Sequence, residues 1–126
     1  MTKFTVVFGE FEESIEGFKS VLQQPKNEFI RDSAIKRFEL VFDLAWKTIK
    51  ACVEEKGTTC ASPLSCFQEA YRQNLIEYNE SWIDMVKTRN KTVHTYDERL
   101  AEEVYEKLPR TLGAFQELAQ ALRSAK

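Results

Sequence analysis

The stretch over residues 27–56, NEFIRDSAIKRFELVFDLAWKTIKACVEEK, decides the fold of this chain. Its apolar residues recur every three or four positions, the spacing that aligns them on one face of an α-helix. Asn27 is a favourable N-cap, and Gly57 directly after the stretch is a helix stop signal. At 1.5 Å per residue the predicted helix is about 45 Å long, which suits the spine of a helical bundle.

Two further helices are predicted, one on each side of this spine. Over residues 3–23 the apolar residues again lie three or four apart, and Pro25 ends the pattern because proline cannot continue the hydrogen-bond ladder. After the spine, Ser62 and Pro63 have the residue types of an N-cap and a first helical position. They predict a third helix that reaches about Asn74.

The last part of the chain predicts two more helices with a sharp junction between them. After a connection over residues 75–79, a fourth helix begins near residue 79 or 80 and reaches about His94. Thr95, followed three residues later by Glu98, matches a capping box, so a fifth helix is predicted to begin there. Pro109 lies within that helix, and because the apolar period continues on both sides we expect a kink rather than an end.

The composition is that of one ordinary globular domain. The chain has 126 residues, 18 Lys and Arg against 20 Asp and Glu, and a formal net charge of -2. With the predicted helices and short loops, these values favour an all-α antiparallel up-and-down four-helix bundle with an additional short helix, a single domain over residues 1–126. The near-neutral charge argues against a general nucleic-acid coat, although it allows a small local basic site.

Neither membrane insertion nor disulfide bonding is expected. No segment approaches the roughly 18 consecutive apolar residues of a membrane helix, and the N-terminus lacks a signal-peptide layout, so we expect a cytoplasmic protein. Cys52, Cys60 and Cys66 are predicted to be reduced, partly buried thiols, because an odd count in a domain with ample core does not indicate a disulfide framework. Their spacing with His94 matches no familiar zinc pattern, and neither a metal nor another cofactor is expected.

The most polar stretch, KTRNKTVHTY over residues 87–96, lies beside the predicted junction. It contains three cations, an amide, a phenol and His94, the only histidine in the chain. An arginine such as Arg89 offers forked donors to phosphate oxygens, and an imidazole can give or take a proton near neutral pH. Asn90 and His94 lie four apart, a spacing at which the amide can hold the imidazole. The alternative is a solvated helix C-terminus whose cations compensate the helix dipole.

Ordered blocks along the chain resemble a known family. Residues 89–96 are similar to the Arg-x4-His-x-Tyr signature of HEPN domains. Upstream, residues 30–32, 35–39 and 44–47 resemble the second helix of the HEPN family called nucleotidyltransferase substrate-binding proteins. The Ser-Pro pair at residues 62 and 63 and the block over residues 82–96 continue the match in the same order, so the resemblance covers about residues 28–100.

The resemblance implies a homodimer of helical bundles that forms a toxin–antitoxin pair with a minimal nucleotidyltransferase. It implies a metal-independent endoribonuclease toxin that cleaves RNA, with Arg89 and His94 as catalytic residues and Asn90 in support. Tyr96 would be the residue to which the nucleotidyltransferase antitoxin attaches AMP, which silences the toxin.

A single histidine per chain makes the dimer important for this chemistry. One imidazole cannot easily hold both proton-transfer roles, whereas a two-fold interface brings two copies of Arg89 and His94 together. Contacts with RNA phosphates are then expected to be local and to involve Lys87 and Lys91.

Two other classes of function stay open on the sequence. The chain is alternatively a noncatalytic nucleotide- or substrate-binding subunit of a two-component nucleotidyltransferase, or a purely structural bundle. The net charge of -2 slightly favours the binding subunit, because it gives little long-range steering toward RNA.

Several polar residues of the spine helix also have two interpretations. They are either solvated ion pairs beside a core tryptophan or the polar rim of an RNA cleft or partner surface: Arg37, Glu39, Asp43, Trp46 and Lys47. Trp82 and Met85 of the fourth helix are expected in the core or a dimer interface rather than in a base-stacking platform.

Overall fold

A computed structural model of the chain describes residues 1–77 and 79–125. Five α-helices make up an all-α bundle, as predicted, and no β-strand occurs among the residues described. The helices are α1 (Lys3–Leu22), α2 (Glu28–Glu55), α3 (Pro63–Arg72), α4 (Glu80–Lys91) and α5 (Glu98–Ser124), with a 3₁₀ turn at Thr92–His94 between the last two. None of these helices is both long and apolar enough to cross a bilayer.

The N-terminal ends of α2 and α3 follow the predicted capping chemistry. The side chains of Asn27 and Ser62 each accept a backbone N–H from the first turn of the helix that follows, so α2 and α3 begin where the sequence predicts. The end of α3 differs, since the helix stops at Arg72 rather than near Asn74. Asn74 has a positive φ of 62°, and the next amide, of Leu75, donates back to the carbonyl of Ala70 and closes the helix.

The connection between α3 and α4 lies where it is predicted, and the last helix continues through Pro109 as predicted, while the kink expected there stays a prediction. Residues 75–77 and 79 are non-helical, as predicted, while Tyr78 lies outside the described residues. Pro109 lies inside α5, which continues to Ser124.

The predicted start of the fifth helix is wrong by two residues. Thr95 is not an N-cap, because its backbone is not extended and its hydroxyl donates to the carbonyl of Thr92, which continues the 3₁₀ turn. Asp97 has the extended backbone of an N-cap, and its carboxylate accepts the amides of the second and third residues of α5. Glu98 is therefore the first helical residue rather than a capping-box partner, and Tyr96 lies just before the cap.

One phenylalanine lies where four helices meet. The ring of Phe115 from α5 is fully buried, and its centroid lies 6.4 Å from Phe11, 6.2 Å from Phe18 and Phe38, and 6.3 Å from Trp82. These partners come from α1, α2 and α4, so one side chain of α5 packs against three of the other four helices. Ring separations in this range are those of favourable aromatic pairs.

The apolar stripes of the shorter helices are only partly buried. Trp82 and Met85 belong to the core, as expected for a core position, and Phe67 of α3 is buried beside them. Leu64 and Tyr71, which have core-like spacing in the sequence, are instead partly exposed and line an apolar groove between α3 and α4. A ten-residue helix on the outside of a bundle can bury only a narrow stripe, which explains the difference.

The cysteine prediction is wrong for two of the three residues. Cys60 and Cys66 form a disulfide, with their Cα atoms 5.0 Å apart. Cys60 lies in the loop after α2, two residues before the N-cap Ser62, and Cys66 lies in the first turns of α3, so the turn at the N-cap brings the two side chains together. Cys52 is buried in α2.

Packing against Arg37 explains why a glycine stands at position 17 of α1. A Cβ atom at this position would lie 2.6 Å from Nη1 of Arg37, so the absence of a side chain lets the arginine cross the surface of α1. Arg37 therefore lies against α1, away from the α4 side of the spine where the candidate site is found.

The central position of Phe115 gives a stability prediction. We expect Phe115→Ala to lower the free energy of unfolding by about 3–5 kcal/mol, because it leaves a cavity that four helices cannot all close. Phe29→Ala is the matched control, since Phe29 is 81% exposed on α2 and should change stability by less than about 0.5 kcal/mol. Urea unfolding followed by circular dichroism measures both; equal losses would contradict the central role of Phe115.

Candidate functional site

Three polar residues of α4 form an exposed strip on its outer face. Lys87, Asn90 and Lys91 are spaced by three and four residues, which places them on one side of the helix, and all three are exposed. Neither lysine forms a salt bridge with any residue that the structure describes. The strip therefore presents two uncompensated positive charges to solvent.

His94 and Tyr96 come together just beyond this strip. Their ring centroids lie 6.1 Å apart with the planes at 76°, an edge-to-face arrangement. Tyr96 is 84% exposed, because it precedes the α5 cap and packs against no core element. No hydrogen bond joins Asn90 to His94 within the described parts of the chain, since α4 ends at Lys91 and the 3₁₀ turn changes the direction of the next residues.

Arg89 points away from the strip and toward α2. Its Nη1 donates to Oε2 of Glu39 at 2.9 Å and to the hydroxyl of Thr92 at 3.0 Å. Its Nη2 lies 3.4 Å from Oδ2 of Asp43. Because the Thr92 hydroxyl is also 2.9 Å from the same Glu39 oxygen, these four residues form one connected group, which we call the Arg89 clamp.

The clamp compensates the charge of the arginine within the chain. Two carboxylates face one guanidinium, and the Arg89 side chain is only 24% exposed. Its Nε is buried and has no hydrogen-bond partner among the described residues. Arg89 therefore does not present an open cation to solvent, in contrast to Lys87 and Lys91.

Sequence reasoning identified part of this clamp. Glu39 and Asp43 have the four-residue spacing that puts two carboxylates on one side of α2, and they do form ion pairs, one of the two interpretations. Their shared partner is Arg89, which the spacing within α2 does not reveal. Thr92 was missed, and the only sequence signal is its position three residues after Arg89.

The N-cap residue of α5 is itself an anion. Asp97 accepts the backbone amides of Arg99 and Leu100, at 3.0 Å and 3.2 Å, so its carboxylate already fills the position where a helix N-terminus attracts a phosphate. A phosphate attached to Tyr96 would therefore meet Asp97 rather than an open helix end.

Arg31 of α2 binds the first residue of α5, Glu98. Its Nη1 and Nη2 donate to the two carboxylate oxygens of Glu98 at 2.7 Å and 3.3 Å, and its Nε donates to Asp32 at 3.0 Å. Arg31 is 5% exposed. The hydrogen bond with Arg31 lowers the pKa of Glu98, and the same bond raises the pKa of Arg31. The pair fixes the position of the backbone that carries Tyr96.

The arrangement offers a nucleophile and local cations rather than a metal centre. Among the described residues no group of three or more His, Cys, Asp or Glu side chains is placed to hold a metal ion. The exposed phenol of Tyr96 can accept a transferred group, the imidazole of His94 beside it can exchange a proton, and the strip can attract anions.

Comparison with known sequences identifies a family that matches nearly the whole chain. The family model described as nucleotidyltransferase substrate binding protein like matches residues 2–124. A search of curated proteins gives no match.

Two solved structures are similar to this fold. A protein from Thermus thermophilus has 31% sequence identity and a TM-score of 0.83, over 90% of this chain and 98% of that chain. A protein from Haemophilus influenzae has 25% identity and a TM-score of 0.70, over 95% of this chain and 96% of that chain. The latter structure is described as revealing the fold of a substrate binding domain of a nucleotidyltransferase.

The Arg31–Glu98 pair gives a prediction on pH. Because the pKa of Glu98 is lowered in the folded chain, the stability it contributes is present above its ordinary value of 4.5 and is lost as the pH falls through the folded pKa. We expect the melting temperature of the wild type to exceed that of Arg31→Met most near neutral pH. The difference should narrow below a pH of about 4.5.

Arg110→Met is the control for this experiment, since Arg110 is exposed on α5 and its loss changes the net charge equally. Its melting temperature should stay close to that of the wild type across the same pH range. A gap between Arg31→Met and wild type that is as wide in acid as at neutral pH would contradict the role of Glu98.

Proposed function

This chain belongs to the nucleotidyltransferase substrate-binding family, and from that membership and the geometry of the α4–α5 junction we propose that it is the substrate-binding subunit of a two-component nucleotidyltransferase. The partner is a separate nucleotidyltransferase chain that supplies the catalytic machinery. The subunit presents the His94–Tyr96 edge to the partner's active site.

The exposure of Tyr96 beside His94 is the observation that carries this proposal. A phenol that is 84% exposed at a helix junction can enter the active site of another protein without unfolding its own chain. Lys87 and Lys91 are exposed on α4, the helix that precedes this junction, and can attract the phosphates of ATP. The Arg89 clamp agrees with a binding role, because the motif arginine is engaged inside the chain rather than open for cleavage of a bound phosphodiester.

We propose further that Tyr96 is itself the acceptor of AMP. In that step the phenol oxygen bonds to the α-phosphorus of ATP, the bond to pyrophosphate breaks, and the phenol proton passes to a base or to solvent. The edge-to-face contact with His94 holds the ring at the junction, and no core contact restrains the hydroxyl.

The acceptor role predicts a loss of modification in Tyr96→Phe. We expect the chain, coexpressed with its proposed partner nucleotidyltransferase, to gain the mass of one or more AMP units and to copurify with that enzyme. Tyr96→Phe should copurify but stay unmodified, because only the attacking oxygen is removed. Tyr71→Phe is the matched control, an exposed tyrosine of α3 whose loss should leave the added mass unchanged.

Intact-mass spectrometry and pull-down measure the two outcomes separately. Modification that persists in Tyr96→Phe would move the acceptor elsewhere in the chain. Failure of both chains to associate would contradict the subunit function itself.

A second function is favoured by one observation, the complete Arg-x4-His-x-Tyr pattern over residues 89–96. On this second proposal the chain is a metal-independent endoribonuclease toxin that acts as a homodimer, and AMP on Tyr96 silences it. Two chains are required because the cleavage needs two proton-transfer groups and each chain contributes one histidine. The clamp would also have to release Arg89 so that its guanidinium could bind RNA.

The two functions predict different behaviour of the isolated chain. For the binding subunit we expect no cleavage of a fluorophore–quencher RNA and no growth arrest on expression alone. Cleavage and arrest that both disappear in His94→Ala, but persist in the control Lys19→Ala, would replace the binding function with the nuclease. Lys19 suits the control because it is exposed on α1, a helix that contributes no residue to the candidate site.

A further inference from the structure

We infer that Asp43 is a built-in competitor for phosphate at Arg89, because it occupies the guanidinium nitrogen that a phosphate-bearing ligand has to reach. The inference rests on the proposed function in one respect, namely that phosphate-bearing ligands come to the α4–α5 junction. Beyond that function, the inference assigns to the Asp43 carboxylate the control of ligand access to Arg89.

Of the three guanidinium nitrogens of Arg89, one is accessible to a ligand outside the chain. A guanidinium has five N–H donors, and the two on Nη1 are directed to Glu39 and Thr92. Nε is buried, without a partner among the described residues, so a ligand outside the chain does not reach it. Nη2 remains with two N–H donors, one of which faces Asp43 at 3.4 Å.

Asp43 is the weaker and more exposed of the two carboxylates. Glu39 makes a contact of 2.9 Å, its side chain is 19% exposed, and it is also bonded to Thr92. Asp43 makes a single longer contact and is 41% exposed. Because an exposed ion pair contributes little, Asp43 can turn into solvent while Glu39 continues to orient the guanidinium.

The ligand that fits this exchange carries a phosphate monoester or diester. A phosphate oxygen that replaces Asp43 at Nη2 gains a charge-assisted hydrogen bond, and the arginine stays compensated throughout. Helical spacing places Arg89 on the opposite side of α4 from Lys87. A chain of several nucleotides can contact both positions, whereas a mononucleotide at Arg89 does not reach Lys87.

Removal of the Asp43 charge tests the inference on the full-length chain alone. The probes are a fluorescein-labelled single-stranded oligoribonucleotide, followed by anisotropy, and AMP, followed by calorimetry, both at low ionic strength where exposed charges are least screened. We expect Asp43→Asn to bind the oligoribonucleotide about two- to fivefold more tightly than wild type, which lies within the range that one exposed charge pair contributes. The gain should be absent in the double variant Asp43→Asn with Arg89→Ala.

Asp84→Asn is the matched control, since Asp84 lies on α4, faces Lys107 on another side of the helix, and its loss changes the net charge equally. An equal gain in Asp84→Asn, or a gain that survives the removal of Arg89, would assign the effect to net charge and overturn the inference. Unchanged affinity in Asp43→Asn, or binding of neither probe by that variant, would also overturn it. Circular dichroism melting establishes that each variant is folded, and Asp43→Ser repeats the test if Asp43→Asn is not.

The two probes distinguish the sources of phosphate. A gain with AMP as well as with the oligoribonucleotide supports a mononucleotide ligand, and a gain with the oligoribonucleotide alone supports a polynucleotide backbone. The nucleotidyltransferase is absent from these measurements. A negative result here therefore overturns the inference on Asp43 without deciding the proposed function, which the coexpression experiment on Tyr96 tests separately.

Discussion

The packing around Phe115 is the constraint on which the rest of the structure depends. Protein interiors are close-packed, so helices that share one buried ring cannot rotate independently. Trp82 lies against that ring, which fixes the rotation of α4. Arg89 follows Trp82 by seven residues and therefore lies on nearly the same side of the helix, toward α2. Lys87 and Lys91 fall on the opposite side and face solvent.

Two polar groups of α2 complete the frame that the aromatic core begins. Near one end of the spine Arg31 binds the first residue of α5, and farther along Glu39 binds the last part of α4. The junction that carries Tyr96 is thus fixed on both sides, although Tyr96 itself packs against no core element. A near-neutral chain can in this way keep its motif arginine compensated and still present a local basic strip.

Much of the helical layout could be predicted from the residues, and the failures have local causes. The periodicity of the spine and the caps at Asn27 and Ser62 depend on neighbouring residues, so they could be found without a fold. The start of α5 was misplaced because two residues near it have capping side chains, and the 3₁₀ turn engages Thr95. The Cys60–Cys66 disulfide depends on how the loop after α2 turns back onto α3, which residue counts do not reveal.

For the candidate site, the sequence by itself determined which residues are present: a lone histidine, a tyrosine and three cations in one short stretch. Only the tertiary structure decided their roles relative to one another. His94 and Tyr96 lie side by side, while Arg89 is bound by carboxylates about fifty positions earlier in the chain, at sequence separations of 50 and 46. The physical reason is that an arginine exposed on one helix and an arginine compensated by another helix have the same local sequence. Helix packing, set by the buried rings, determines which of the two occurs.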